Sequence, residues 1–260
     1  MTPEAIVAAA QTLAEARRAT QALRALPPGQ APDGIEEGYA VQSAFVELWD
    51  EAPVGWKIAC TAEEVQKLYG LSEPFFGAVF PATVFESGAR PEAARFQHLC
   101  LECEFAFRFE RGLPAREAAY GRDEVLDAVG TLMPAYEIIA PRFDSLLMDA
   151  VGTAAADCAL NGGLVLGAPV ADWRERDLGA APVTLTVDGA FRAEGRGANA
   201  LGHPFNALDW LVNALSRRGL GLAAGAVVST GTCTGINYVE PGQTAVADFQ
   251  ELGRVEVTFV

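Results

Sequence analysis

Glu102 and Glu104 stand two residues apart in Leu101-Glu102-Cys103-Glu104-Phe105-Ala106-Phe107, where carboxylates alternate with apolar side chains. On a β-strand, residues two apart share a face. Both carboxylates would then point one way, and Leu101, Cys103 and Phe105 the other. Adjacent like charges repel unless a positive group lies between them. A hard divalent cation such as Mg²⁺, Mn²⁺ or Ca²⁺ takes oxygen ligands of this kind. A solvated strand face is the alternative for an isolated Glu-x-Glu. Glu137 offers a third carboxylate, ahead of Ile138 and Ile139 in a strand-like run. A carboxylate in apolar company is costly unless paired or metal-bound. Three carboxylates from two strands would furnish about half of an octahedral shell and leave positions for water or substrate oxygens. Such a cation can chelate a 2-oxo acid and stabilise a developing enolate.

Two further groups carry chemistry. Lys57 is one of only two lysines, against seventeen arginines, and sits in the apolar run Val54-Gly55-Trp56-Lys57-Ile58-Ala59. A lysine packed among apolar groups has a lowered pKa and serves as an acid/base or an anion anchor; a snorkelling lysine on an edge strand is the alternative. Asp157 and Asn161-Gly162-Gly163 form a polar patch in an apolar segment, suited either to orienting water or substrate or to making a tight turn. The five cysteines are odd in number and scattered, which is no disulfide framework. Cys100-x-x-Cys103 lacks a second pair, and on a strand its members face opposite sides, so structural thiols are expected there.

These residues need elements to position them. Thr2-Pro3-Glu4 is a helix start, and the apolar spacing from Ile6 through Leu23 and Leu26 predicts a helix that ends before Pro27. A second helix is expected from Asp33, carrying Tyr39, Gln42, Phe45 and Trp49 on one side. Thr61-x-x-Glu64 predicts a capping box for a short helix to Tyr69. From Phe75 the chain is rich in strands and turns, with a helix expected over 122–133 and a strand over 134–139. Val183–Val187 followed by Asp188-Gly189 is a hairpin signal. An amphipathic helix is expected over 204–217, a buried strand over 226–230, and a last strand over 254–260 with Val255, Val257 and Phe259 inward. The fold class is therefore α+β, one domain over 1–260: a helical N-terminal lobe (1–70) on a mixed, strand-rich core (71–260). The net charge of −15 speaks against nucleic-acid binding. No run approaches the ~18 apolar residues of a membrane span, and the N-terminus lacks a basic leader region; a cytoplasmic protein is expected. The amphipathic first helix suits contacts in a homo-oligomer, although packing onto the core gives the same pattern.

In order and spacing these segments resemble the 2-keto-4-pentenoate hydratase and 4-oxalocrotonate decarboxylase group of the fumarylacetoacetate hydrolase superfamily. Gly38-Tyr39-Ala40-Val41-Gln42 resembles its early Ala-Tyr-x-x-Gln helix, and Gly55-Trp56-Lys57-Ile58 its Gly-x-Lys-Ile/Val-Gly strand. Leu101–Phe107 resembles Val-Glu-Pro-Glu-Leu-Ala-Phe, and Pro134–Ile138 resembles Pro-Ala-x-Glu-Ile/Val. Gly202-His203-Pro204, Trp210-Leu211 and Val227–Thr232 fit its C-terminal signatures. The resemblance implies a mixed β-roll or sandwich core. It implies Glu102, Glu104 and Glu137 as ligands of Mg²⁺ or Mn²⁺, with Lys57 and Asp157 as catalytic residues. It also sets Thr230, Thr232, Leu160 and Phe76 against the substrate.

Two departures stand out. Asp157-Cys158-Ala159-Leu160 replaces the group's Asp-Asn-Ala-Ser, and Pro74-Phe75-Phe76-Gly77 replaces Pro-Asp-Phe/Tyr-Gly. The activity implied is hydration of small unsaturated 2-hydroxy or 2-oxo acids, of the 2-hydroxypenta-2,4-dienoate type, in aromatic catabolism. Decarboxylation of a 4-oxalocrotonate-type 2-oxo acid, carbon–carbon hydrolysis of an acylpyruvate, and a catalytically altered binding or partner subunit are the alternatives. A complex with a homologous hydratase or decarboxylase is a further expectation.

Overall fold

The computed structural model describes residues 1–146 and 150–260. The chain begins with helices α1 (Pro3–Ala19) and α2 (Ile35–Leu48), strand β1 (Gly55–Ala59) and helix α3 (Glu63–Leu68). Strands β2 (Phe75–Val79), β3 (Val84–Glu86) and β4 (Cys100–Phe109) follow, then α4 (Arg122–Ala128), β5 (Val129–Ile139), α5 (Val151–Ala156) and β6 (Asn161–Leu166). The hairpin β7 (Pro182–Val187) and β8 (Ala190–Arg196) leads to α6 (Pro204–Arg217). The chain closes with β9 (Val227–Ser229), β10 (Asn237–Tyr238), β11 (Thr244–Asp248) and β12 (Arg254–Thr258).

The larger sheet is mixed, in the order β2-β1-β9-β4-β5-β6-β3, with β10 added on β4; a second sheet runs β12-β11-β7-β8. β1 lies parallel to β9 and β3 parallel to β6, while the other pairs are antiparallel. One buried apolar cluster runs from Ala9 and Leu13 of α1 through Phe105 and Phe107 of β4 to Val255 and Val257 of β12. β1, within the expected helical lobe, is thus an inner strand of the main sheet. Helix α2 locks onto the sheet by polar pins: Gln42 donates to the Phe76 and Ala155 carbonyls and accepts from Ala78 N–H, and Tyr39 accepts from Phe76 N–H. Among the described residues, no helix is long and apolar enough to cross a membrane.

Several expected elements form as read. Thr2 caps α1 by accepting from Ala5 N–H. Asp188 and Gly189 both sit at positive φ between β7 and β8, as a tight hairpin requires, and Val255, Val257 and Phe259 are fully buried. Others are corrected by long-range pairing. α1 stops at Ala19, with Thr20 left-handed, because Leu23 pairs with Arg142 and Asp144 through backbone hydrogen bonds. Helix α4 ends at Ala128, five residues early, because Leu132 and Met133 pair opposite Phe107 and Ala106 of β4. The capping box at Thr61 does not form: Ala62 holds the capping position, and the Thr61 side chain packs against Gly231.

Candidate active site

Antiparallel register builds the site. β4 and β5 pair with Glu102 directly opposite Glu137, and Glu104 lies two residues farther along the same face. Lys57 on β1 is opposite Ser229 on β9, which is itself opposite Ala106 on β4. One carboxylate oxygen from each of the three glutamates lies within 4.8 Å of the others. Glu104 and Glu137 are fully buried, Lys57 is 2% exposed and Glu102 is half-buried. Like charges facing each other across a ladder destabilise it, so the fold tolerates this pair for a reason other than stability.

Each buried glutamate is held by one oxygen. The Lys57 ammonium lies 3.1 Å from Glu137 Oε1, which also accepts from Asn161 Nδ2 at 2.9 Å. Glu104 Oε2 accepts from the Ser229 hydroxyl and from Gly231 N–H. Gly231 has a left-handed φ of 95°, and a Cβ there would meet Thr61 Oγ1 at 2.3 Å, so only glycine brings its N–H to this carboxylate. The other oxygens, Glu104 Oε1 and Glu137 Oε2, are buried and have no hydrogen-bond partner. Buried polar atoms are nearly always satisfied, and such exceptions point to a bound group.

The charges tell the same story. Burial, reinforced by Glu137, raises the Glu102 carboxyl to about 7, against the pull of Lys57 and a Thr232 hydrogen bond. Burial and the neighbouring carboxylates push Glu104 well above the usual range, and burial raises Glu137 despite Lys57 and Asn161. Burial pulls the Lys57 ammonium down, but Glu137, Glu102 and Glu104 together outweigh it, and its pKa ends above the ordinary value. The lowered value expected from the apolar neighbours of Lys57 is therefore corrected: the sequence neighbours are apolar, the spatial ones anionic. Three carboxylates against one ammonium leave two negative charges in excess when all are ionised. Oxygen-only donors, two orphaned oxygens and that excess fit a hard divalent cation.

The cluster opens into a cavity of about 400 Å³, lined by Lys57, Glu102 and Thr232 at one end and by Val65, Leu68, Phe75, Ile139, Leu160 and Ile236 elsewhere. Leu160 ends a run, Cys158–Leu160, with all three residues at positive φ. Left-handed non-glycine residues cost about 1–3 kcal/mol each and persist where surroundings over-determine them. Here Leu160 N–H donates to the Asp157 carbonyl and its own carbonyl accepts from Ala140 N–H. A Cβ on Gly77 would lie 1.9 Å from the Cys158 carbonyl oxygen, so the run is packed tightly on β2.

The structure does not gather every expected residue. Lys57, Glu102, Thr232 and Leu160 line the cavity, and Glu104 and Glu137, fully buried, complete the carboxylate cluster around Glu102 and Lys57. Phe76 does not line it: β2 alternates, so Phe75 faces the cavity, while Phe76 stacks on Tyr39 at 4.4 Å. Thr230 donates its hydroxyl to the Phe105 carbonyl within the sheet and lies off the cavity. Asp157 is consumed by Arg142, accepting from its Nε at 2.6 Å and its backbone N–H at 2.9 Å, and it too lies off the cavity. His203 caps α6, accepting from Phe205 N–H, which accounts for the Gly-His-Pro segment. Ser229 was legible only as part of a buried strand, because nothing in Val-Val-Ser-Thr says which hydroxyl meets a carboxylate on another strand.

Residues 39–260 match the family described as fumarylacetoacetate (FAA) hydrolase C-terminal. The chain belongs to this family. It is 34% identical to the 2-keto-4-pentenoate hydratase of Burkholderia vietnamiensis over 227 residues, covering 85% of this chain and 84% of that one. It is 28% identical to the 4-oxalocrotonate decarboxylase of Pseudomonas putida, over 80% of this chain and 77% of that one. The structure of the 4-oxalocrotonate decarboxylase from Pseudomonas putida G7, complexed with magnesium and adipate, superposes with a TM-score of 0.90 at 23% identity, over 100% of this chain and 99% of that one. The architecture is thus the fumarylacetoacetate-hydrolase-like α+β fold, with a curled mixed sheet and a helical N-terminal region.

Proposed function

We infer that this chain is a Mg²⁺- or Mn²⁺-dependent hydratase of small unsaturated 2-hydroxy or 2-oxo acids, of the 2-hydroxypenta-2,4-dienoate type. The observation that carries this reading is the meeting of Glu102, Glu104 and Glu137 beside Lys57 at the polar end of a largely apolar cavity. The hydratase names among its relatives support the reaction. The three glutamates would hold the cation. When bound, it supplies Lewis-acid polarisation of the substrate's carboxylate and 2-oxygen, the electron sink for both tautomerisation and water addition.

The protein's own residues do the rest. Lys57 holds the substrate carboxylate or passes a proton at Nζ, fixed in place by Glu137. Ser229 and Gly231 aim Glu104, and Asn161 aims Glu137. The apolar walls hold the diene and limit water to the polar end. The dienol gains a proton at its terminal carbon while its 2-hydroxyl loses one. Water then adds across the remaining carbon–carbon double bond, so the product exceeds the substrate by one water.

A second reading, decarboxylation of a vinylogous 2-oxo diacid, needs no attacking water, and Leu160 lines the cavity where the family pattern has a serine hydroxyl; the same apolar side chain offers a diacid's second carboxylate no partner. One experiment separates them. Metal-stripped protein is incubated with 2-hydroxypenta-2,4-dienoate, ultraviolet absorbance is followed before and after Mg²⁺ addition, and the product mass is taken. Metal-dependent loss of the conjugated chromophore with a gain of one water is the expected result. An unchanged spectrum with Mg²⁺ demonstrably bound overturns the hydratase; carbon dioxide released from a 2-oxo diacid under the same conditions establishes the decarboxylase in its place.

A further inference from the structure

The walls of the cavity carry information about the far end of the substrate. Among its described lining residues, Lys57 is the sole cationic side chain, and it sits at the glutamate end, already engaged by Glu137. The remaining polar side chains there, Cys60, Thr61, Tyr69 and Thr232, are neutral. The chain has seventeen arginines and two histidines, and none of them lines this cavity. The residues outside the described set, Leu147, Met148 and Asp149, bring no cation by type. The rest of the lining is largely apolar and includes Val65, Leu68, Phe75, Ile139, Leu160 and Ile236. Leu68 is 75% exposed and Ile236 39% exposed, an apolar rim that the fold leaves uncovered.

From this lining we propose that the site selects acids with a single carboxylate and an uncharged, apolar substituent at the far end, and discriminates against dicarboxylates. The inference rests on the metal-assisted reading above for the orientation of the substrate. A second carboxylate placed among Phe75, Leu160 and Ile236 would lose its water and meet no cation, only the neutral hydroxyl and thiol groups of the lining, a cost that a methyl or longer alkyl group avoids. Each added methylene instead gains hydrophobic transfer energy, about fourfold in affinity, until the cavity is filled. Leu160 and Phe75 are the specificity-determining residues. Both face the cavity from backbone fixed by the fold: Leu160 from its left-handed run and Phe75 from β2, where it pairs with Ala59 of β1.

The test uses binding as well as turnover. The Mg²⁺-loaded full chain is titrated calorimetrically with 2-oxobutanoate, 2-oxohexanoate and 2-oxoadipate. In parallel, kcat/KM is measured for 2-hydroxypenta-2,4-dienoate, 2-hydroxyhexa-2,4-dienoate and 2-hydroxyhepta-2,4-diene-1,7-dioate. The expected order is 2-oxohexanoate tightest, with 2-oxoadipate weaker by about 100-fold or more; turnover follows the same order. Equal or tighter binding of 2-oxoadipate overturns the proposal. Binding in the expected order without turnover of any diene leaves the substrate preference standing and removes the hydratase; turnover with the diacid preferred does the reverse. Leu160→Arg supplies the second arm. It is expected to tighten 2-oxoadipate by about tenfold and weaken 2-oxohexanoate, since one cation then faces the distal carboxylate. A variant that folds, binds Mg²⁺ and shows the wild-type ratio of the two ligands counts against Leu160 as a determinant.

Discussion

Two clusters of buried charge differ in how completely the protein satisfies them. The Arg142–Asp157 pair carries one charge of each sign. Both Asp157 carboxylate oxygens accept hydrogen bonds, and the Arg142 guanidinium also donates to the Asp157 and Asn161 carbonyls. The Glu102–Glu104–Glu137–Lys57 cluster has three acids to one base and leaves two buried oxygens without partners. A closed, balanced pair fixes the chain locally, here the turn that carries Leu160. An open, unbalanced one stores affinity for something that arrives later. Burial alone does not mark a functional group; here the mark is two unpartnered carboxylate oxygens in one cluster of like charge.

The largest expected effect separates the two clusters outright. Glu104→Gln should lower kcat/KM by about 10⁴-fold or more, roughly 5.5 kcal/mol of barrier, and abolish Mg²⁺ binding in calorimetry. The metal-free variant should melt higher than the metal-free parent, because one excess buried charge is gone. A lower melting temperature would mean that Glu104 is structural in the same sense as Asp157. Asp157→Ala should do the opposite. It strands the Arg142 guanidinium and should cost about 3–5 kcal/mol in denaturant unfolding, while Mg²⁺ affinity moves by less than about fivefold at a temperature where the variant is folded. Loss of metal binding with full stability would transfer Asp157 to the active site.

Smaller effects test the link between the clusters. Asn161 donates to Glu137 through its side chain, while its carbonyl accepts from Arg142. Asn161→Ala should weaken Mg²⁺ by about 10–100-fold with the Arg142 contact retained, since that contact is to backbone. An unchanged affinity would show that Lys57 alone orients Glu137.

The pH dependence is the mildest probe. The folded Glu102 carboxyl titrates at about 7 against an ordinary 4.5, so the folded form holds its proton more tightly than the unfolded one. Its contribution makes the metal-free protein less stable as pH rises from 4.5 to about 7, with no further change above. Mg²⁺ must displace that proton, so its affinity should rise at least about tenfold per pH unit below 7 and level off only once Glu104 and Glu137, also raised, have lost theirs. A flat affinity between pH 5 and 7 would mean that Glu102 is ionised throughout and the cluster less strained than its geometry implies.

Much of this was legible in the residues because the relevant rules are local. A period of two placed Glu102 and Glu104 on one face, and a period of 3.6 with a Pro start marked α6 at Pro204–Arg217. Glu137 stood out because a carboxylate before two isoleucines demands a partner. The same rule failed for Asp157, an acid in equally apolar company, because its partner Arg142 lies fifteen residues away in sequence and only folding brings the two together. Phe75 and Phe76 are identical in type and adjacent, so composition cannot say which one faces the cavity; the pairing of β2 with β1 does. The helix expected over 122–133 yielded to a strand because residues 129–133 belong to β5, whose pairing along β4 satisfies their backbone groups in place of about another turn and a half of helix.

The sequence by itself determined which side chains are available, on which face of each strand they stand, and the excess of acid that calls for a cation. Tertiary structure alone decided that Glu102 lies opposite Glu137, that Lys57 answers to carboxylates, and that Asp157 is already spoken for. The reason is range. Side-chain periodicity is set by dihedral angles within a few residues, whereas cross-strand register and hydrogen-bond satisfaction depend on segments that meet only after the loops between them have closed.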